Sequence, residues 1–439
     1  MIALPLAEVE RLASGRLVVA PGASAATGLS IDSRRVAPGD LFVAVGRGSS
    51  FTDQALAAGA AATLVPDDTF AALAALGAAV RDRSDARVVG ITGAVAKTST
   101  KDILAALVRP HRKTVAAEGS QNNEIGLPLT LGRLQPDTEV CIVEMGMRGL
   151  GQIAELCAVA RPDVGVVTKI GPVHLELLGT VERVAQAKAE IVGALPAGGT
   201  AVVPAGEPLL EPYLGREDID VIRFGPDGDV QLTSFAPRGE GCEVGVDVQG
   251  ERVALELPFG SRYNAENTLA ALAAYRALGL PLADAGCGAP HIRLSRWRGE
   301  ETPLPGGGLL VNDAYNANPL SMTAALEHLS ERAEGRRTVA VLGDMAELGS
   351  GAAAYHREVG AAAARSGVQV LIAVGPLARE YLAGAPDVPE ARWAETVEGG
   401  LAALEPLLRP GDCVLVKGSR AVGLEALADA LAAAEAPAS

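Results

Sequence analysis

Thr92-Gly-Ala-Val-Ala-Lys-Thr-Ser99 places a lysine and a hydroxyl four and five residues after a glycine. That order suits phosphate chemistry. Amides of the turn aim inward, Lys97 meets phosphate charge, and the Thr98 hydroxyl is offered to Mg²⁺. The residue before such a lysine is ordinarily glycine, because the backbone turns tightly there. Here it is Ala96. If the position takes a positive φ, alanine costs about 1–2 kcal/mol. If φ stays negative, alanine is tolerated.

Further reactive side chains follow apolar runs. Glu144 ends Val140-Cys-Ile-Val-Glu, and His174 lies in Gly171-Pro-Val-His-Leu-Glu176. Ligands bind at such strand ends in parallel sheets, so Glu144 and His174 are expected to meet above the phosphate turn and hold a metal. Taken singly, each also reads as an ordinary solvated or capping side chain. Lys188 alone reads as a solvated helix lysine. Three polar loops, beginning at Asp313, Gly343 and Lys417, each follow an apolar run. Three such loops on one sheet edge predict a functional edge rather than three unrelated turns. The basic cluster at 293–298 falls at a junction between regions, a common ligand position.

The elements that must position these residues read as α/β. Residues 1–85 hold small alternations around Asp40, an Ala-rich helical run over 54–62 and a short strand over 62–65. The polar stretch 81–86 reads as a linker. Residues 86–300 open with the strand, turn and helix of a nucleotide-binding unit. Apolar strands at 140–143, 164–167 and 201–203 follow, separated by helical segments. This predicts a central, mostly parallel sheet with helices on both faces. Residues 301–439 repeat the alternation, with strands at 309–311, 338–342, 370–374 and 413–416, as a Rossmann-like unit.

Composition narrows the partners. The net charge is −15 and aromatics are only 3%, which argues against nucleic acid and against a base-stacking platform. No run of about 18 uncharged apolar residues suggests a membrane span. Five scattered cysteines make a poor disulfide framework and suit a reducing cytoplasm.

Taken together, these segments resemble the Mur ligase family over nearly the whole chain. The resemblance rests on Asn122-Asn-Glu-Ile-Gly-Leu-Pro128, Glu144-Met-Gly146, His174-Leu-Glu176 with Ala187-Lys-Ala-Glu190, Asn312 to Pro319, Val341 to Gly349 and Val416-Lys-Gly-Ser-Arg420. Ile31-Asp-Ser-Arg34 with Gly39-Asp-Leu-Phe42 resembles its UDP-binding N-terminal domain. The resemblance implies three domains: 1–85 for a UDP-linked substrate, 86–300 for ATP and 301–439 for an amino acid or dipeptide. It implies an ATP-dependent amide ligase in peptidoglycan precursor synthesis. A carboxylate attacks the γ-phosphate, and an amine displaces phosphate from the acyl phosphate. UDP-muramoyl tripeptide and D-alanyl-D-alanine are the implied substrates, and a cytoplasmic monomer the implied state.

The residue roles are likewise implied by the resemblance. Lys97, Lys188, His174 and Arg298 act on the reacting groups. Gly93, Lys97, Thr98, Ser99, Asn267, Arg298 and Asp313 hold ATP. Thr98, Glu144, His174 and Lys188, the last as a carbamate, bind Mg²⁺. Ser33, Arg34, Asn122, Asn123, Asn316, Asn318, Lys417 and Ser419 face the substrates. The chain departs from the family pattern at Ala96, Lys169, Tyr263, Ser120-Gln121 and 204–207, and lacks the Asp-Gly-His signature near Phe51. Two other readings therefore stand beside the first: a ligase for a different carboxylate and amine, and a non-catalytic paralogue with a decayed ATP site.

Overall fold

Strand Arg87–Thr92 is apolar on both faces, and the computed structural model, which describes residues 1–433, shows why. Val88 joins a core that includes helices Gln152–Ala160 and Val181–Gly193. Val89 and Ile91 join a second core with helices Lys97–Val108 and Arg262–Ala277. Helices on both faces remove the need for alternation, so the strand reads as one continuous apolar run.

This strand lies inside a nine-stranded sheet. Six strands run parallel, in the order Asp220–Phe224, Thr200–Pro204, Val164–Val167, Arg87–Thr92, Val140–Glu144, Thr114–Ala116. Beyond Asp220–Phe224 the sheet continues as Val230–Arg238, Gly241–Val248 and Glu251–Leu257, an antiparallel meander. The sequence reading has no strands in that stretch. The signal was present, since Gly241–Val248 alternates half-buried and buried residues along its length.

The first unit is a four-stranded sheet in the order Gly15–Val19, Ala62–Pro66, Asp40–Val43, Gly28–Ser30. The expected helix over 54–62 is shorter, Thr52–Ala57. Gly59, at φ 101°, turns the chain into the following strand. Helix Thr69–Arg81 is capped by Asp68, whose carboxylate accepts from the Ala71 amide at 3.0 Å. The stretch 81–86 is not a loose linker. Arg81 donates to the carbonyls of Ala160 and Ser84, and Ser84 Oγ accepts from the Ala86 amide. One hydrophobic core runs from Leu4 and Val9 through Leu73 and Leu76 to Leu131, Val143 and Ile191 without a break.

The third sheet has the order Glu300–Leu304, Gly308–Asp313, Cys413–Lys417, Thr338–Gly343, Val370–Val374, Glu390–Ala394, parallel except for its first strand. Its two faces bury two separate cores, neither shared with the other units. The molecule is thus a three-unit α/β protein. The last six residues of the predicted third unit lie outside the described residues. No described helix is long and apolar enough to cross a membrane.

Candidate functional site

The phosphate turn follows strand Arg87–Thr92 directly. Gly93 has φ 147°, and a Cβ there would overlap the Thr168 hydroxyl, so only glycine fits. Ala96 takes φ 68° and ψ −4° and caps helix Lys97–Val108 without a side-chain bond. The positive φ that alanine resists is therefore present, and the tolerant alternative of a negative φ is not adopted. The first helical amides, at residues 97–99, have no intrahelical partner and form the positive end of the helix.

Lys97 Nζ donates to the Gly93 carbonyl at 2.9 Å. Burial pushes this amine below its usual value; Glu144 opposes the push and Arg298 adds to it. Lys188, on helix Val181–Gly193, is 1% exposed. Burial, then the nearby Lys97, hold its amine well below the usual lysine value, with Glu190 and Glu144 opposing. Among the described residues, no carboxylate lies within 4.0 Å of either amine.

Glu144 is buried at the end of its strand, as its place after an apolar run predicts. One oxygen accepts from Thr98 Oγ1 at 2.9 Å and the other from Asn122 Nδ2 at 2.8 Å. Arg298 Nη2 donates to Thr98 Oγ1 at 3.0 Å and to Ser120 Oγ at 3.2 Å. Its guanidinium lies 3.9 Å over the Tyr315 ring. His174 does not reach Glu144 by a hydrogen bond. Its Nδ1 pairs instead with Glu347, on the loop after strand Thr338–Gly343. Burial lowers the His174 pKa, Glu347 raises it, and Lys188 and Lys97 lower it further. His174 and Glu144 therefore share the same two lysines as electrostatic neighbours.

The third unit brings its strand ends against this cluster. Lys417 Nζ donates to Asp313 Oδ2 at 2.6 Å and to the Asn316 carbonyl at 2.9 Å. Asn318 caps helix Pro319–Ala333 in a reciprocal box with Ser321, so its carbonyl oxygen is committed to the turn. Ser419 Oγ accepts from the Ala346 amide at 2.9 Å and pins the loop that carries Glu347.

A cleft of about 410 Å³ lies between the second and third units. It gathers Lys97, Thr98, Ser99, Asn122, Glu144, Asn267 and Arg298 from one side. Asp313, Asn316, Asn318 and Lys417 face them from the other. Asn267 also borders a second cavity and donates to Asn264 Oδ1 at 3.0 Å. Gly93, His174, Lys188 and Ser419 stand behind the lining. Asn123 lies outside it too; its side chain accepts from the Gly126 amide at 2.9 Å. Ser33 and Arg34 belong to the first unit, away from the cleft. Ser33 donates to Gln54, and Arg34 forms a two-bond pair with Asp32 that holds this carboxyl down to about 2.

Sequence reasoning missed Glu347, Tyr315 and Ser120 as site partners. The motif 341–349 was visible, but nothing local in it says that Glu347 meets a histidine 173 positions away.

The cleft fits a polyanion. The half-buried Lys97 and Arg298 line the cleft, the buried Lys188 stands behind, and the positive end of a helix adds to their charge. The Thr98 hydroxyl and the Glu144 carboxylate are hard oxygen donors of the kind Mg²⁺ takes. Among the described residues no three His, Cys, Asp or Glu form a ready-made metal cage.

Residues 91–275 match the Mur ligase middle domain, and residues 297–420 match the "Mur ligase, glutamate ligase domain". The chain is 33% identical over 421 residues to the UDP-N-acetylmuramoyl-tripeptide–D-alanyl-D-alanine ligase of Bacillus subtilis (strain 168), covering 91% of each. It is 33% identical over 457 residues to the Escherichia coli (strain K12) ligase of the same name, covering 98% of this chain and 99% of that one. The fold is similar to MurF from Acinetobacter baumannii, with a TM-score of 0.86 and 26% identity over 98% of this chain and 99% of that one. It is also similar to Thermotoga maritima MurF ligase in complex with ADP, with a TM-score of 0.80 and 28% identity over 92% of this chain and 97% of that one.

Proposed function

The chain belongs to the Mur ligase family, and from that premise we propose that it uses ATP to join D-alanyl-D-alanine to UDP-N-acetylmuramoyl-tripeptide in peptidoglycan synthesis. The supporting observation is the half-buried Lys97 beside the buried carboxylate of Glu144 in the cleft between the second and third units, with the buried Lys188 behind the lining. Joining a carboxylate to the γ-phosphate of ATP brings two anions together. Charge neutralisation in a water-poor site is the largest help a protein can give such a step.

In this reading Lys97 contacts the β- and γ-phosphates and Arg298 reaches the same end from across the cleft. The amides after Gly93 cradle the phosphates, and Ser99 lines their path. Asn267 meets the adenine and Asp313 the ribose. Thr98, Glu144 and His174 would hold Mg²⁺, with Glu347 fixing the His174 ring through Nδ1. When bound, Mg²⁺ supplies charge screening between the two reacting anions. Lys188 fits a carbamate. Burial and Lys97 favour its neutral amine, the form that takes up CO₂, and the carboxylate so formed neutralises Lys97.

Residues 1–85, with Ser33 and Arg34, take the UDP end, and Asn122 and Asn123 border the path to the reacting carboxylate. Residues 86–300 take ATP. Residues 301–439, with Asn316, Asn318, Lys417 and Ser419, take the dipeptide. The protein acts as a cytoplasmic monomer, where ATP and the UDP-linked substrate are made.

The test is phosphate release from ATP with Mg²⁺ and UDP-muramoyl tripeptide, with and without D-alanyl-D-alanine. Release that requires both substrates supports the reading. No release with that pair sinks it.

A further inference from the structure

On the face of helix Lys97–Val108 that carries Thr98, Lys101 and Asp102 follow three and four residues later. Both are charged and both are withdrawn from water, their side chains 2% and 12% exposed. Neither lines the cleft. Buried charges persist only when fully bonded, so the destination of each bond is informative.

Lys101 Nζ donates to the carbonyls of Ala117 and Gly119, each at 2.8 Å. It lies 2.9 Å from Asp102 Oδ1. Asp102 Oδ2 accepts from both the amide and the hydroxyl of Ser295, each at 2.8 Å. Gly119 directly precedes Ser120, and Ser295 stands three residues before Arg298. At the far ends of these two segments, Arg298 Nη2 donates to Ser120 Oγ and to Thr98 Oγ1. The bonds close a ring from the helix through both segments and back to the helix.

We propose that Lys101 and Asp102 are the positioning residues of the phosphate end of the cleft: Asp102 aims Arg298 through Ser295, and Lys101 aims Ser120 through Gly119. The inference rests on the ligase reading for what Arg298 does. The turn that presents Arg298 needs such an anchor. Trp297 takes φ 60°, a strained conformation for a bulky residue that holds only when its surroundings impose it. Downstream the turn is fixed at Gly299, whose amide donates to the Asn312 carbonyl at 3.1 Å. Gly299 has φ 76°, and a Cβ there would overlap the Tyr263 hydroxyl. Upstream, Ser295 on Asp102 is the corresponding anchor.

The test uses Asp102→Asn and Ser295→Ala, each in the unaltered chain and in an Arg298→Gln background. Small misplacements of a reacting group cost up to about 100-fold in rate. Asp102→Asn is expected to lower kcat about 10- to 100-fold, with the dipeptide KM within about twofold. Ser295→Ala keeps the amide bond and is expected to lose less. In the Arg298→Gln background each change is expected to cost under about twofold more, because residues acting through one group do not add. Losses of the same factor in both backgrounds, or an unchanged kcat, overturn the proposal. If Asp102→Asn shows no cooperative thermal transition, Ser295→Ala decides alone.

A readout independent of turnover is Trp297 fluorescence. The chain has two tryptophans, so Trp393→Phe leaves Trp297 as the sole reporter. A released turn shifts its emission to the red and raises quenching by acrylamide, and unchanged emission in both variants overturns the anchor. Silence of the unaltered enzyme in the phosphate assay would count against the ligase reading. An unmoved Trp297 would count against this one.

Discussion

Ala96→Gly isolates the strain in the phosphate turn. Alanine at φ 68° carries about 1–2 kcal/mol that glycine does not. Glycine in turn gives the unfolded chain about 0.5–1 kcal/mol of extra entropy. The balance is a gain of about 0.5–1 kcal/mol, or about 2 °C in the thermal midpoint of a unit of this size. A reference substitution in an ordinary helix has the opposite sign. Ala158→Gly, on the exposed side of helix Gln152–Ala160, is expected to lose about 1 kcal/mol. The chain's own bonds hold the turn, the Ala94 amide on the Lys169 carbonyl and the Thr168 hydroxyl on the Val95 carbonyl, so the strain belongs to the turn itself. The KM for ATP in Ala96→Gly should therefore stay within about threefold, about 0.7 kcal/mol. Thermal unfolding of both variants and an ATP titration of phosphate release make the assay. If the KM for ATP falls tenfold while the midpoint stays fixed, alanine is strained only around bound phosphate, and the reasoning is refuted.

Lys97→Met should remove most turnover while leaving the fold intact, since the amine bonds the Gly93 carbonyl and has no carboxylate partner among the described residues; near-normal kcat would end its phosphate role. Glu347→Gln should raise the Mg²⁺ concentration for half-maximal rate by about tenfold or more, because it loosens the His174 ring; an unshifted Mg²⁺ titration would separate Glu347 from the metal. Lys97, Lys188 and Lys417 all have folded-state amine pKa values below the unfolded 10.5. The folded chain binds fewer protons between those values and 10.5, so these three groups make stability rise with pH across that window. Bound ATP favours their charged forms. Binding at a pH inside that window should take up protons, and calorimetry in buffers of different ionisation heat should detect it; identical heats in all buffers would contradict the lowered amine values.

The strands around the site were legible because covered parallel strands need no polar face. Val140–Glu144 and Val370–Val374 are buried at every residue and stand out as apolar runs. Glu144 was legible for the same reason, as a carboxylate ending such a run. The meander strand Val230–Arg238 was not, because it is largely exposed and its alternation is broken by a register shift between Leu232 and Ser234. The left-handed turn at Ala96 carried no residue signal, since alanine is the residue that such a turn disfavours. Contacts between units were hidden by distance along the chain. His174 with Glu347, and Asp102 with Ser295, are separated by 173 and 193 positions. Only tertiary packing brings them together.

The unbroken core of the first two units has an evolutionary side. A recombination junction near residue 85 would cut through one hydrophobic core and leave both halves with exposed apolar surface. A junction near residue 299 cuts none, because the third unit buries its own two cores. On the proposed assignment of the third unit to the dipeptide, new amine partners can be acquired by exchanging a whole module. On the same assignment, with residues 1–85 proposed for the UDP end, a new nucleotide-linked partner has to be reached by point substitution within a core that must stay closed throughout.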